Sequence, residues 1–167
     1  MSVAPLRLGL AGLGTVGIGV VKIVQAHADL IAARAGRPVT ITAVSARDRT
    51  KNRDADLSGY SWETDPVALA KRPDIDVFVE VMGGHEGPAK LATEAALAAG
   101  KHVVTANKAL LAHHGQTLAE AAEAANLALR FEAAVAGGIP VIKALTEGLA
   151  GNRMKRVMGV MNGSCNY

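Results

Sequence analysis

The sequence predicts an α/β chain folded as a doubly wound, mostly parallel sheet. Three observations carry that expectation. Short apolar runs rich in β-branched residues alternate with longer stretches at helical spacing. The first run leads through a glycine-rich turn directly into a helix. At 167 residues, half of them apolar and 20% charged, the chain is large enough for one ordinary hydrophobic core.

Taken in order, Leu6 to Leu10 is the first strand. Val16, Val20, Ile23, Val24, Leu30 and Ile31 then recur at helical spacing until Gly36 and Pro38 stop the helix. Val39 to Val44 is the second strand, followed by Val77 to Val81, Val103-Val104 and Leu127 to Phe131. Alanine-rich helices occupy the stretches around 88 to 99, closed by Gly100, and 114 to 125. Arg156 to Met161 reads as a further strand, with a turn at Asn162-Gly163. Strands joined through helices imply parallel pairing, and right-handed crossovers cover the sheet on both faces. No internal repeat or low-complexity linker interrupts the pattern.

Composition narrows the function. No apolar run approaches a membrane span, and the opening lacks the basic and apolar regions of a secretory signal, so the expected compartment is the cytoplasm, with no membrane partner. One cysteine, Cys165, allows no internal disulfide. A net charge of +3 is too small to argue for nucleic acid. That excess is local: Arg47, Arg49, Lys51 and Arg53 against Asp48 account for all of it.

Gly12-Leu13-Gly14-Thr15-Val16-Gly17 is the strongest short motif. In a dinucleotide site the first glycine makes the tight turn, the second lets a pyrophosphate approach the backbone, and the third allows close packing of helix on strand. The anion then rests on the helix N-terminus. A methyltransferase-type nucleotide fold is the alternative. The second strand delivers Ser45-Ala46-Arg47 to the adenosine ribose, where arginine suits a 2′-phosphate and a carboxylate suits a free hydroxyl. NADP(H) is therefore the expected cofactor, with NAD(H) as the alternative because Asp48 adjoins. Arg47 follows Gly17 by 30 residues, an interval that calls for a longer first helix or loop.

Asn107 suits a helix N-cap and places Lys108 in the first helical turn, where a cation opposes the helix dipole. At the carboxyl edge of the sheet, Lys108 is a candidate for touching cofactor or substrate, and it is the one possible catalytic residue. Glu132 precedes Gly137-Gly138 and Pro140. A carboxylate beside inward-turned carbonyls suits a hard cation, and helix capping or pairing with a base is the plainer role. The histidines show no ligand spacing.

"GLAGLGTVGIGVV", "VEVMGG", "VTANKALLA", "FEAAVAGGIPVIKAL" and "NGSCNY", in this order, resemble the Rossmann-like cofactor-binding domain of homoserine dehydrogenase across nearly the whole chain. The resemblance implies reversible reduction of L-aspartate 4-semialdehyde to L-homoserine by NAD(P)H, on the route to threonine, isoleucine and methionine. It assigns the cofactor to Gly12, Leu13, Gly14, Thr15, Val16, Gly17, Arg47, Gly83 and Lys108. It assigns a monovalent cation such as sodium to Glu132 and the carbonyls of Val135, Gly137 and Ile139, and the substrate side to Asn162, Gly163 and Ser164. The family usually has Asn-Gly-Thr-Thr-Asn-Tyr where this chain has Ser164 and Cys165, which puts the second hydroxyl's role in question.

The implied organisation is a cofactor-binding domain over residues 1–155 and the first strand and turn of a truncated substrate domain over 156–167. Such a chain would bind nucleotide and turn over little or nothing, with the complete enzyme a homo-oligomer acting on a small molecule. Two rival readings are a thiol-dependent aldehyde dehydrogenase using Cys165 and a non-catalytic nucleotide sensor.

Overall fold

The computed structural model describes residues 3–159. Six strands form one wholly parallel sheet: β1 (Leu6–Ala11), β2 (Val39–Ser45), β3 (Ser61–Glu63), β4 (Val77–Glu80), β5 (His102–Thr105) and β6 (Leu129–Arg130). Their spatial order is β3-β2-β1-β4-β5-β6, so the winding reverses between β1 and β4. That reversal opens a crevice beyond the carboxyl ends of the two strands, the ligand position in open α/β sheets.

The helices are α1 (Thr15–Ala26), α2 (Ala28–Ala35), α3 (Pro66–Ala70), α4 (Pro88–Ala98) and α5 (Lys108–Ala124). Behind β6 come a short 3₁₀ turn, Glu132–Ala134, and α6 (Val141–Lys143), which runs on as a π turn over Ala144–Gly148. Local chemistry sets several ends. Asp65 caps α3 through the Val67 N–H at 2.9 Å. Proline stands in the first turn of α3 and α4, where no backbone N–H is needed.

Two apolar clusters divide the core between the faces of the sheet. Phe78, Leu69, Ile75, Val103, Leu110 and Leu118 pack under α3, α4 and α5. Leu10, Val44, Val77 and Val79 pack with Val21 of α1 on the other face.

The structure departs from the sequence expectations in five places. The first helix is two, α1 and α2, meeting at His27 with a bend of 85°. The reason is length. Twelve helical residues span about 18 Å, close to the length of a six-residue strand, so a straight continuation would overshoot the sheet before β2 begins. Two elements, β3 and α3, were not expected. The last strand is short, only Leu129–Arg130, and leaves Glu132 in the 3₁₀ turn. Residues 153–159 have no regular structure, so the expected strand at Arg156 is not formed there; its remainder, with Asn162, Gly163, Ser164 and Cys165, lies outside the described residues. Finally, cover is incomplete on one face. Among the described residues β4 is buried throughout, whereas β5 alternates and leaves His102 and Val104 exposed.

Candidate functional site

The glycine-rich turn sits at the carboxyl end of β1, and its three glycines have separable jobs. Gly12 has φ of +103°, and a side chain there would meet the Val81 carbonyl at 2.7 Å. At Gly17 a Cβ would lie 1.9 Å from the Gly12 carbonyl oxygen, so helix and strand pack backbone to backbone. Around the Cβ direction of Gly14 there is nothing within 4 Å. Gly14 is also the N-cap of α1, supplies no side-chain cap, and is followed by a first turn without an acidic residue. Gly14, Thr15 and Val16 are exposed while Leu13 and Gly17 are buried. The rim of the turn thus offers uncapped N–H groups and open space, which suits a phosphate.

Beside this turn lies the basic loop that follows β2. Asp48 is turned into the loop itself: it accepts hydrogen bonds from the Thr50 N–H at 2.8 Å, the Thr50 hydroxyl at 2.7 Å and the Lys51 N–H at 3.3 Å. The Thr50 hydroxyl, before the backbone donors, holds its carboxyl below the usual range. Arg53 also points inward. Its Nε donates to the Leu13 carbonyl at 3.2 Å and its other nitrogens to the Lys51 and Asp48 carbonyls, which ties the loop to the glycine turn. Arg49 and Arg53 lie over the Trp62 ring, 5.7 and 5.6 Å from its centroid. Arg47, next after Ala46, is exposed and makes no hydrogen bond or ion pair among the described residues.

Across the reversal point, β4 ends in Glu80, which sequence reasoning missed. It is completely buried. Its Oε1 accepts from the N–H groups of Met82 (2.7 Å) and Gly83 (3.2 Å), and its Oε2 from the Thr105 hydroxyl (2.6 Å). Gly83 and Gly84 have φ of +82° and +84°, and Gly83 faces open space. The signal available in the sequence was a carboxylate closing an otherwise apolar strand, three residues ahead of a pair of glycines.

Asn107 caps α5 as expected, accepting from the Leu110 N–H at 3.1 Å, and its amide nitrogen donates to the Gly84 carbonyl at 2.6 Å. Lys108 is the first residue of α5, exposed, and forms no ion pair among the described residues. The structure therefore gathers the glycine turn, the loop with Arg47, Gly83 and Lys108 along one carboxyl edge of the sheet.

Glu132 lies farther along the same edge, beyond β6 at the end of the strand order. Its two oxygens accept from the Ile142 N–H (3.0 Å) and the Lys143 N–H (2.8 Å), so it caps α6. Glu132 and Lys143 line a cleft of about 270 Å³ with Phe131 and Thr146. The Ile139 carbonyl accepts from the Val141 N–H at 2.8 Å. The histidines act as contacts: His85 stacks on His113 at 4.1 Å, and His114 meets Glu86 at 2.8 Å. No cluster of histidine, cysteine and acidic side chains suited to a metal occurs among the described residues.

A parallel sheet with this strand order, a glycine turn fitted to phosphate and a basic loop beside it define a nicotinamide-dinucleotide-binding domain. The family model for the NAD-binding domain of homoserine dehydrogenase matches residues 12–132, and a second, for homoserine dehydrogenase, matches 140–167. The chain belongs to the homoserine dehydrogenase family. It is 47% identical over 163 residues to the homoserine dehydrogenase of Neisseria gonorrhoeae, covering 98% of this chain and 37% of that one. To the Bacillus subtilis enzyme it is 44% identical, covering 97% and 37%. The crystal structure of a homoserine dehydrogenase from Thiobacillus denitrificans superposes with a TM-score of 0.83 at 44% identity, over 91% of this chain and 35% of that one. The chain thus spans little more than a third of the length of these relatives.

Proposed function

We propose that this chain is the cofactor-binding part of a homoserine dehydrogenase, that it takes NADP(H) in preference to NAD(H), and that the reaction it serves is the interconversion of L-aspartate 4-semialdehyde and L-homoserine in threonine, isoleucine and methionine biosynthesis. The observation that carries the cofactor choice is the pairing of Arg47 and Asp48. The carboxylate is spent on its own turn and the guanidinium is not, so the group left to meet the ribose is a cation. A 2′-phosphate dianion suits that group, and a ribose hydroxyl seeking an acceptor does not.

The residues fit the cofactor they would hold. N–H groups at Gly14 to Val16 receive the pyrophosphate, Arg47 the 2′-phosphate, and Gly83 and Lys108 flank the nicotinamide half. When bound, the nicotinamide supplies the hydride. Lys108 would contribute positive charge near the developing alkoxide, and the substrate domain the remaining groups. The oxygen donors of Glu132, Val135, Gly137 and Ile139 are of the hard type an alkali cation prefers, and the Glu132 and Ile139 oxygens keep lone pairs beyond those used in hydrogen bonds to the start of α6. On this reading residues 1–155 form the cofactor domain and 156–167 lead into the substrate domain, the cytoplasm is the compartment, and the complete enzyme is a homo-oligomer. The deciding experiment is fluorescence titration of the 167-residue chain with NADPH and NADH. NADPH should bind more tightly, and tighter binding of NADH would defeat the cofactor assignment.

A further inference from the structure

We infer that Glu80 is a positioning residue for the nicotinamide half of the dinucleotide, acting through the Met82–Gly84 turn on one side and through Thr105 on the start of α5 on the other; this rests on the cofactor reading above.

A fully buried carboxylate is costly unless its acceptors are filled, and a strand end that needed only stability would be served by an apolar residue. Glu80 fills its acceptors in a directed way. Oε1 takes the consecutive N–H groups of Met82 and Gly83, which fixes the turn at its root. Oε2 accepts the hydrogen bond donated by the Thr105 hydroxyl. With its proton so committed, the Thr105 oxygen accepts the Asn107 N–H at 3.0 Å. Asn107 in turn grips the far end of the same turn at Gly84 and caps the helix that begins with Lys108. The Glu80 carbonyl closes the circuit, accepting the Ala106 N–H at 3.2 Å. One carboxylate therefore sets both the wall containing Gly83 and the register of Lys108.

The position in the sheet says which part of a ligand this serves. A dinucleotide straddles the point where strand order reverses. The turn after β1 takes the pyrophosphate and the loop after β2 the adenosine, so the nicotinamide riboside extends over β4 and β5, where every member of the Glu80 circuit lies.

The test compares NADPH with adenosine 2′,5′-bisphosphate, which carries the adenosine end and no nicotinamide. Glu80→Gln keeps the shape but presents an amide nitrogen where Thr105 needs an acceptor. It should weaken NADPH about tenfold and change the bisphosphate by less than about twofold. Thr105→Val, which preserves strand propensity, should weaken NADPH about threefold with the same selectivity. Circular dichroism verifies folding, and if Glu80→Gln does not fold, Thr105→Val decides alone. Equal loss for both ligands, or no loss for NADPH, overturns the inference. A wild-type chain that binds the bisphosphate and not NADPH also overturns it, whereas one that binds neither overturns the cofactor reading beneath it.

Discussion

Replacing Gly14 and Gly17 separately by alanine should divide binding from stability within a single turn. At Gly17 the new methyl would sit 1.9 Å from the Gly12 carbonyl oxygen, more than 1 Å inside the closest approach that real Cβ atoms show. Both partners are backbone, one at the start of α1 and one just past β1, so neither can swing aside. The cost is that of overpacking, about 2–3 kcal/mol, or roughly 4–12 °C in melting temperature for a chain of this size. At Gly14 the methyl meets nothing within 4 Å, and the change of N-cap residue costs under about 1 kcal/mol. That methyl, however, occupies the open rim where a pyrophosphate must approach. Losing one or two charge-assisted hydrogen bonds there weakens dinucleotide binding by about 10- to 100-fold. Thermal melts read by circular dichroism and NADPH titrations of both variants test the pair. A Gly14→Ala chain that binds NADPH as tightly as wild type would refute the assignment of this turn to phosphate.

Arg47→Ser should weaken NADPH by about 10- to 100-fold and change NADH by less than about threefold, because the guanidinium meets only the 2′-phosphate; competitive titration measures both. Asp76 provides a control on the opposite edge of the sheet. Arg7 binds it bidentately at 2.7 and 3.1 Å, and that bond holds its carboxyl at about 2, below the ordinary 3.8. A depressed folded value stabilises above the ordinary one and is lost as pH falls toward about 2. Asp76→Asn should therefore remove about 1–2 kcal/mol at neutral pH, discounted for partial exposure, and flatten the acid limb of urea melts below about pH 4, with NADPH affinity unchanged. If Glu132 and its neighbouring carbonyls take sodium, a tenfold excess over Kd raises the melting temperature by about 3–6 °C relative to tetramethylammonium at equal ionic strength. Glu132→Gln should shrink that difference, and identical melts of the wild-type chain in the two salts would count against the cation.

Much of this site is legible in the order of the residues alone. The turn Gly12 to Gly17, the cap at Asn107, the helix ends at Gly36 and Gly100 and the parallel alternation all depend on residues within a few positions of one another. The Glu132 site shows where such reading stops: the segment suggested both a cation ligand and a helix cap, and the N–H groups that complete the cap come 10 and 11 residues later.

The sequence by itself determined the class of fold and the place of the glycine turn, since hydrophobic periodicity and glycine conformational freedom act locally. Tertiary structure alone decided that Arg53, 40 residues from Leu13, fastens the basic loop to the glycine turn. It also decided that the Thr105 hydroxyl donates a hydrogen bond to Glu80, 25 residues away in the chain. Those contacts exist because parallel pairing of β4 with β5 sets Glu80 opposite Thr105, and the β1–β2 pairing brings the two loops side by side. Register between strands distant in the chain is fixed by the packed core as a whole, which no local pattern encodes.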